Sequence, residues 1–333
     1  MDALVQDAVR DLAPADRRLA LEIIATAMKL AGEQVTRLDR KIVNSALKEM
    51  RHAFRVFTPY KGVRKVTIFG SARTQKGDPE YDAARDFSRL IAEHGWMVIT
   101  GAGPGIMEAG HEGAGGDRSF GVNIRLPFEA KANPVIADDA KLINFKYFFT
   151  RKLTFIKEAD AFVLLPGGFG TLDEAFELLT LVQTGKAALH PIVLLDRPGG
   201  TYWQRFDSYV REELLARGFV SPADLALYRL VEDPEAAVRE IDDFYLVYHS
   251  LRMVRDRLVL RLNRQLEPEL LDHLSDEFSD ILSGPLEPTT ASKAEIADDD
   301  VPHLPRIALR FDHRQVGRLR QLVDRINREG AEP

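Results

Sequence analysis

The sequence of 333 residues contains no cysteine. That absence excludes disulfide bonds, thiolate metal sites and a cysteine nucleophile. Long apolar runs are missing as well, because no segment approaches the roughly 18–20 apolar residues of a membrane-spanning helix. The N-terminus lacks the charged segment and apolar core of a secretory signal. These features predict a cytoplasmic protein with no membrane partner.

An excess of positive charge is also missing, since the formal net charge is −6 at pH 7. A general electrostatic hold on DNA or RNA needs a basic face, so no nucleic-acid partner is expected. Any anionic ligand must therefore be bound by local groups. The composition, with 45% hydrophobic and 29% charged residues, is otherwise typical of a globular protein.

Several motifs for cofactors are absent. No Gly-x-x-x-x-Gly-Lys-Ser/Thr loop occurs, which excludes triphosphate hydrolysis of the P-loop kind. The glycines within 101–105 are spaced Gly-x-Gly-x-Gly, and the next strand ends in Asn123-Ile124-Arg125, without the acidic residue that holds the ribose of NAD. The histidines show no metal-ligand spacing, so no metal is expected. No other cofactor is predicted either. Four of the histidines are interpreted as surface or loop residues: His52, His94, His111 and His190.

From residue 63 onward, short β-branched runs alternate with amphipathic segments of helix length. The predicted strands are Lys65–Phe69, Met97–Thr100, Phe120–Ile124, Leu142–Phe145, Ala161–Leu165, Ile192–Leu195 and Tyr228–Val231. The predicted helices are 80–94, 104–115, 146–158, 171–184 and 201–217. This alternation predicts an α/β fold, a Rossmann-like parallel sheet with helices on both faces. In such sheets, ligands bind at the carboxyl ends of the strands.

The segments on either side of this region predict two further parts. Residues 1–58 carry helical periodicity in two blocks and predict an N-terminal helical segment. The Rossmann-like nucleotide-binding domain is expected over residues 59–248, and a small α/β accessory module over residues 249–333. The predicted elements of the module are strands 258–262 and 306–311 and helices 268–280 and 312–328. The Pro-, Thr- and Asp-rich stretch 284–305 is expected to be a solvated or mobile loop.

The most informative segment is Pro166-Gly167-Gly168-Phe169-Gly170-Thr171-Leu172-Asp173-Glu174, which follows an apolar strand and begins a helix. Glycines allow backbone N–H groups to approach an anion closely, and the free amides of a helix N-terminus favour negative charge. A phosphate site is therefore predicted. Glu174 is expected one helical turn into this site, facing the group that carries the phosphate. Thr171 and Glu174 also match the Thr-x-x-Glu capping box, so a purely structural role is the alternative.

Other candidate contacts follow other predicted strands. Gly101, Gly103 and Gly105 form a second glycine-rich loop. Ser71 and Arg73 come directly after the first strand, where a hydroxyl and a guanidinium can contact a ligand. The convergence of these strand ends with the loop at 166–174 is a stronger indication of a site than any one of them.

Two cations lie on the predicted helix 146–158. Lys152 falls inside its apolar stripe and Arg151 at the margin of that stripe. A cation directed toward a core is costly unless an anion compensates it. For Lys152, snorkelling or a structural ion pair is the alternative to ligand binding. Arg151, with its planar fork, is the better candidate to hold an anion or the catalytic carboxylate.

These segments together resemble the Lonely Guy (LOG) family, which is often labelled lysine decarboxylase. Residues 166–174 are similar to its Pro-Gly-Gly-x-Gly-Thr-x-x-Glu signature, and Gly101–Ala114 resembles its other glycine-rich loop. Arg151-Lys152 falls at the spacing of its arginine segment. The resemblance spans about residues 63–232.

The resemblance implies a nucleoside 5′-monophosphate phosphoribohydrolase, which cleaves the N-glycosidic bond of a purine or cytokinin nucleotide, AMP included, to free base and ribose 5-phosphate. It implies catalytic roles for Arg151 and Glu174. The expected substrate-binding residues are Ser71, Gly101, Gly103, Gly105, Lys152, Gly167, Gly168, Gly170 and Thr171. Glu108 is the candidate for the acid that protonates the leaving base. The expected partners are the nucleotide and further copies of the chain, in a homodimer or larger homo-oligomer.

Two other functions are compatible with parts of the sequence. A nucleotide-binding carrier or sensor would use the glycine-rich loop without hydrolysis, but it would not need both Arg151 and Glu174. A protein that handles single-stranded DNA is disfavoured by the acidic balance and by the lack of an aromatic and basic stripe. A decarboxylase gains no support, because no site for pyridoxal phosphate is recognisable.

Overall fold

The computed structural model describes residues 2–125 and 132–331. The chain divides into two compact units between residues 54 and 55. The division into 1–58, 59–248 and 249–333 stays a prediction. Along the described residues, no helix combines the length and the apolar composition that crossing a bilayer requires.

The first unit is helical. It contains α1 (Asp2–Val9), α2 (Pro14–Gly32) and most of α3 (Arg37–Phe57), and α2 and α3 correspond to the two predicted blocks. Thr36 and Asp39 cap the start of α3 reciprocally, with the Thr36 amide donating to the Asp39 carboxylate at 2.9 Å and the Asp39 amide donating to the Thr36 hydroxyl at 3.2 Å.

The second unit is built on a parallel sheet, which has seven strands among the described residues, in the order β4-β3-β2-β1-β5-β6-β7. The strands are β1 (Lys65–Phe69), β2 (Met97–Thr100), β3 (Ser119–Ile124), β4 (Leu142–Phe145), β5 (Ala161–Leu164), β6 (Ile192–Leu195) and β7 (Arg229–Val231). The predicted α/β, Rossmann-like fold is confirmed. Every residue of β1, β2, β5 and β6 is buried, because helices cover both faces.

Helices lie between or after these strands along the chain and cover the sheet. They are α4 (Pro79–Glu93), α5 (Ile106–Ala114), α6 (Phe148–Glu158), α7 (Phe169–Gln183), α8 (Tyr202–Tyr209) and α9 (Pro234–Phe244). A π-helical segment, Val210–Leu215, continues α8. Since the connections leave β1 and β5 in opposite directions, the strand order reverses between these two neighbours, and a ligand crevice is expected there.

A second sheet follows α9. It is antiparallel, in the order β10-β11-β9-β8, with strands β8 (Tyr248–Val254), β9 (Arg257–Leu262), β10 (Glu287–Thr289) and β11 (Arg306–Leu309). Its helices are α10 (Pro268–Glu277), α11 (Lys293–Ala297) and α12 (Val316–Glu329). The strands and helices predicted for this part of the chain are confirmed to within a few residues.

The interpretation of 284–305 as a solvated or mobile loop was wrong. This stretch contains β10 and α11. Ser292 and Glu295 form a complete capping box at the start of α11, and the Glu295 side chain is buried against Arg261 and Arg306. Local capping and buried ion pairs therefore order a segment whose composition is typical of a loop.

Candidate active site

The strand ends predicted to converge do meet at the reversal between β1 and β5. The Ser71 amide donates to the Pro166 carbonyl at 3.2 Å, and the Ile106 amide donates to the Ser71 carbonyl at 3.1 Å. Gly105 has a φ of +68°, and a β-carbon there would collide with the backbone of Ser71 and Ala72. Glycine at 105 is therefore needed for the close approach of the second loop to the end of β1.

The glycine-rich loop that contains Gly167 and Gly168, the predicted phosphate site, leads directly into α7. The helix begins at Phe169 with Gly168 as its N-cap residue, and the Leu172 amide donates to the Gly168 carbonyl at 3.1 Å. Because Thr171 lies inside the first turn and not at the cap, the capping-box alternative for Glu174 was wrong. The amides of the first turn have no partner within the helix itself. Gly168, Phe169 and Gly170 are exposed, so these amides are accessible to an anion.

Two contacts fix the shape of this loop. A β-carbon on Gly167 would collide with the hydroxyl of the buried Thr171, so the loop folds tightly onto the first turn of α7. The Tyr202 hydroxyl donates a 2.6 Å hydrogen bond to the Gly167 carbonyl. Thr171 and Tyr202 thus hold Gly167 from two sides.

Glu174 is a buried carboxyl group, with 9% of its surface exposed. Burial raises the pKa of Glu174 from 4.5 to about 7, although the positive charges of Lys152 and Arg151 oppose the shift. The negative charges of Glu177 and Asp173 add to it. At neutral pH, the carboxyl group can therefore exchange a proton readily.

Arg151 lies on α6, next to Lys152, which pairs with Asp173 and Glu177 of α7. The Nε of Arg151 donates to the Val122 carbonyl at 2.8 Å, and its guanidinium carbon lies 5.1 Å from the centre of the Phe155 ring. The guanidinium also lies against Gly101, since a β-carbon on Gly101 would collide with it. These contacts hold Arg151 between the second glycine-rich loop and the neighbourhood of Glu174.

Lys152 forms ion pairs with Asp173 at 2.8 Å and with Glu177 at 2.5 Å. The structural ion pair considered for Lys152 is therefore present, while direct contact with a ligand stays a prediction. Glu177 was missed by the sequence reasoning. Its position one turn after Glu174 on the same helix was the available signal.

The loop at 101–105 is held by residues that the sequence reasoning did not select. Ala102 has a φ of 63°, which is unusual for a residue with a side chain. Its amide donates to the Thr100 hydroxyl at 3.0 Å, and its carbonyl accepts from the Asn133 amide at 2.8 Å. The Asn133 side chain donates to the Gly103 carbonyl at 3.0 Å. Together these bonds fix the conformation of the loop.

The interpretation of His111 as a surface or loop residue was wrong. It is fully buried on α5, where its Nε2 lies 3.0 Å from the Thr100 hydroxyl and 3.1 Å from the Phe120 carbonyl. Its other nitrogen lies within 3.3 Å of the Asn133 side chain. Burial lowers the pKa of His111, so the ring is neutral and supports the loop through hydrogen bonds.

The remaining candidates lie near the end of β1 and on α5. The Arg73 amide donates to the Ser71 hydroxyl at 3.1 Å, while the Arg73 side chain is exposed. Glu108 lies 3.2 Å from the Lys76 ammonium group, which also pairs with Glu112. The role of Glu108 as the general acid stays a prediction. Over residues 2–125 and 132–331, no cluster of three or more His, Asp or Glu side chains could hold a metal ion.

Comparisons with known proteins match a part of the chain that includes the loop before α7. The model of a family described as "Possible lysine decarboxylase" matches residues 105–241. Cytokinin riboside 5′-monophosphate phosphoribohydrolase from Rhodococcoides fascians is 31% identical over 185 residues, which cover 54% of this chain and 89% of the relative. The enzyme of the same name, LOG, from Oryza sativa subsp. japonica is 30% identical over 168 residues, or 47% of this chain and 64% of the relative.

Among solved structures, the molybdenum cofactor carrier protein from Chlamydomonas reinhardtii is 20% identical, with a TM-score of 0.39. The match covers 54% of this chain and 96% of that protein. The molybdenum cofactor binding protein from Rippkaea orientalis is also 20% identical, with a TM-score of 0.38 and coverage of 54% and 96%.

Proposed function

The chain belongs to the LOG family, and from that premise we propose that it is a nucleoside 5′-monophosphate phosphoribohydrolase. The proposed reaction is hydrolysis of the N-glycosidic bond of a purine or cytokinin nucleotide, AMP among them, to free base and ribose 5-phosphate. The relatives named for this reaction match only about half of the chain, 54% for the bacterial enzyme. The proposal therefore concerns the parallel-sheet region that they share.

The observation that supports this function most directly is the environment of Glu174. A carboxyl group that is only 9% exposed lies one turn into the helix whose first amides follow the glycine-rich loop. Its pKa of about 7 suits proton transfer near neutral pH. A protein that only binds a nucleotide gains nothing from a buried carboxyl group that destabilises its fold.

The phosphate of the substrate is bound by the amides at the start of α7, around Gly168, Gly170 and Thr171. The partial positive charge of a helix N-terminus favours this anion. Ser71, at the end of the neighbouring strand, supplies a hydroxyl on the other side of the crevice. Binding at the phosphate positions the sugar, so energy from a remote contact assists the reaction at the anomeric carbon.

Glu174 acts on the sugar. The bond between C1′ and the base nitrogen breaks, the electron pair leaves with the base, and an oxocarbenium-like ribose forms. The ionised Glu174 stabilises this cation and takes a proton from the water whose oxygen bonds to C1′. The base receives a proton from a separate acid, for which Glu108 remains the candidate. Arg151 orients Glu174 and the ribose hydroxyls.

A homodimer is part of the same proposal. Phe148, Phe149 and Leu153 on α6 are each about half exposed, and Phe169 at the start of α7 is 95% exposed. Phe148, Phe149 and Leu153 lie within two turns of one helix, and exposed apolar side chains grouped in this way are typical of association sites. Light scattering of the wild type and of Phe149→Ser tests the dimer, which the substitution should weaken. The cytoplasmic location expected from the sequence stays a prediction.

The decisive experiment is incubation with a panel of nucleoside 5′-monophosphates and the matching nucleosides, with free base detected by chromatography. We expect the wild type to release base from nucleotides and not from nucleosides, and Glu174→Gln to release none. Glu93→Gln is the matched control, because Glu93 is an exposed residue that pairs with Arg89 on the surface of α4.

Each other outcome is informative. Equal release by the wild type and Glu174→Gln would show that Glu174 is not the catalytic residue. Equal release from nucleotides and nucleosides would contradict the phosphate site. Binding of nucleotides without release of base by the wild type would favour the carrier or sensor over the enzyme.

A further inference from the structure

A cavity of about 680 Å³ lies between α7 and the beginning of α8, beside the glycine-rich loop that precedes α7. This volume falls in the range of about 300–1,000 Å³ that is typical of sites for small organic ligands. Pro166 and Leu172 contribute to its wall, so the cavity adjoins the loop.

The cavity lies on the opposite side of α7 from Glu174. Leu172 and Phe176 both line it, and each is two residues from Glu174. Side chains two residues apart on an α-helix point about 200° apart. Within the described part of the chain, the lining includes neither Glu174 nor Arg151. A ligand in the cavity would therefore leave the proposed catalytic residues unoccupied.

One wall of the cavity is aromatic. The rings of Phe176 and Phe206 lie 5.6 Å apart with an angle of 50° between their planes. Tyr209 extends this wall and is 50% exposed. Aromatic walls of this kind bind flat apolar groups through large contact areas.

The polar wall of the cavity contains one arginine, Arg205, whose guanidinium is not paired within the described residues. Arg205 lines the cavity, is exposed, and has no side-chain partner among residues 2–125 and 132–331. The neighbouring Arg197 is paired with Glu80 at 3.1 Å. Both carboxylates of the wall therefore have partners. Glu80 is paired with Arg197, and the buried Asp196 carboxylate accepts hydrogen bonds from the backbone amides of Arg197 and Tyr202, both at 2.9 Å.

We propose that this cavity is a second small-molecule site and that it takes an organic anion with a flat apolar body. The apolar body packs against Phe176, Phe206 and Tyr209, and the carboxylate, sulfonate or phosphate of the ligand pairs with Arg205. The site is distinct from the crevice at Glu174. It does not depend on the function proposed for that crevice.

The test uses 8-anilinonaphthalene-1-sulfonate, an aromatic anion whose fluorescence increases in apolar surroundings, titrated with the full chain. We expect saturable binding to the wild type. Arg205→Gln and Tyr209→Ser each remove one contact from an exposed position, and each should raise the Kd of the dye about fivefold, the effect of a contact worth about 1 kcal/mol.

Matched controls lie in the segment that follows α8. Arg217→Gln removes an exposed arginine that pairs with Glu213, and Phe219→Ser removes a side chain that is 69% exposed. Neither residue lines the cavity, so both variants should bind the dye as the wild type does. Unchanged binding by both Arg205→Gln and Tyr209→Ser, or equal weakening by their controls, would overturn the proposal. Thermal unfolding of each variant verifies that it is folded.

Two further arms separate this cavity from the catalytic crevice and test the charge. Glu174→Gln should retain dye binding, whereas its loss would place the dye at the crevice and overturn the proposal. Naphthalene-1-carboxylate should displace the dye more effectively than the neutral naphthalene-1-methanol, and Arg205→Gln should remove that difference. Equal displacement of the dye from the wild type would show that no anion is recognised.

Discussion

The guanidinium of Arg151 lies directly against Gly101, with no room between them for a β-carbon. A β-carbon on residue 101 would collide with Nη2 of Arg151 and would lie 2.6 Å from the sulfur of Met107. The hydrogen bond from Arg151 Nε to the Val122 carbonyl, 2.8 Å long, holds the same side chain from the other direction. A β-carbon at residue 101 would therefore displace the end of the Arg151 side chain, the end of Met107, or both.

We therefore predict that Gly101→Ala lowers kcat/KM for release of base from nucleotides by about 100-fold, because a shift of about 1 Å in a positioning group costs that much. The measurement is steady-state kinetics of base release. Gly62→Ala is the control, since a β-carbon on Gly62 meets nothing within 4 Å. Full activity of Gly101→Ala would mean that the position of Arg151 does not matter to the reaction.

The pH dependence of the reaction should identify the role of Glu174. Burial raises its pKa to about 7, so the carboxyl group is mostly protonated below that pH and mostly ionised above it. Since the proposed mechanism needs the ionised form of Glu174, kcat/KM should rise with pH through about 7. Initial rates from pH 5 to pH 9 test this. A rate that falls over the same range would make Glu174 the acid in the reaction.

The same carboxyl group should destabilise the protein at high pH. The pKa of Glu174 is raised in the folded state from 4.5 to about 7, so the folded state binds this proton more tightly than the unfolded state. Stability is therefore lost progressively as the pH rises from about 4.5 to about 7, by up to about 3 kcal/mol.

Glu174→Gln removes this penalty, because glutamine does not ionise. Its free energy of unfolding should match that of the wild type near pH 4 and exceed it at pH 8. Urea unfolding at the two pH values provides the comparison. A constant difference between the two proteins would contradict the raised pKa, whatever the effect of the substitution on activity.

The parallel sheet could be predicted from the sequence because each of its strands is a short apolar run followed by glycine, proline or a helix. Such runs form buried strands wherever helices of sufficient length separate them. The segment around β10 gave no such signal, since Glu287-Pro288-Thr289 has neither apolar character nor alternation. Ser292-x-x-Glu295 matches a capping box and is the local signal for the start of α11, whereas the Pro-, Thr- and Asp-rich composition of the stretch is typical of a loop.

Residues of the candidate site could be predicted only where they lie close together in the sequence and form a recognisable motif. The loop before α7 fulfils that condition, and so does the pair Arg151-Lys152. The support of the second loop by Thr100, His111 and Asn133 depends on contacts between distant parts of the chain. A histidine on an amphipathic helix gives no indication of which partners it will meet. The structure was needed to show that His111 is buried behind the loop.

Glu295 provides a test of the second sheet. It lies buried between Arg261 and Arg306, with its Oε1 2.9 Å from Nη2 of Arg261 and 3.4 Å from Nε of Arg306. Glu295→Ala would remove the carboxylate that these arginines share, while Arg261 would keep its pair with Asp300 at 2.5 Å. It should therefore cost about 3 kcal/mol of stability, the lower end of the usual result of breaking a buried pair. Glu287→Ala is the matched control, because the pair of Glu287 with Arg257 is exposed and should contribute less than about 1 kcal/mol.

The contribution of Glu295 to stability depends on pH with the opposite sign from that of Glu174. Burial alone would raise the pKa of Glu295, but hydrogen bonds from Ser292 and Arg261 lower it from 4.5 to about 2. The contribution of Glu295 is therefore complete above about pH 4.5 and is lost as the pH falls toward 2. Chemical unfolding at pH 7 and pH 3 should show the gap between the wild type and Glu295→Ala narrowing at the lower pH. A gap that is unchanged at pH 3 would mean that Glu295 stabilises the sheet by packing and not by its charge.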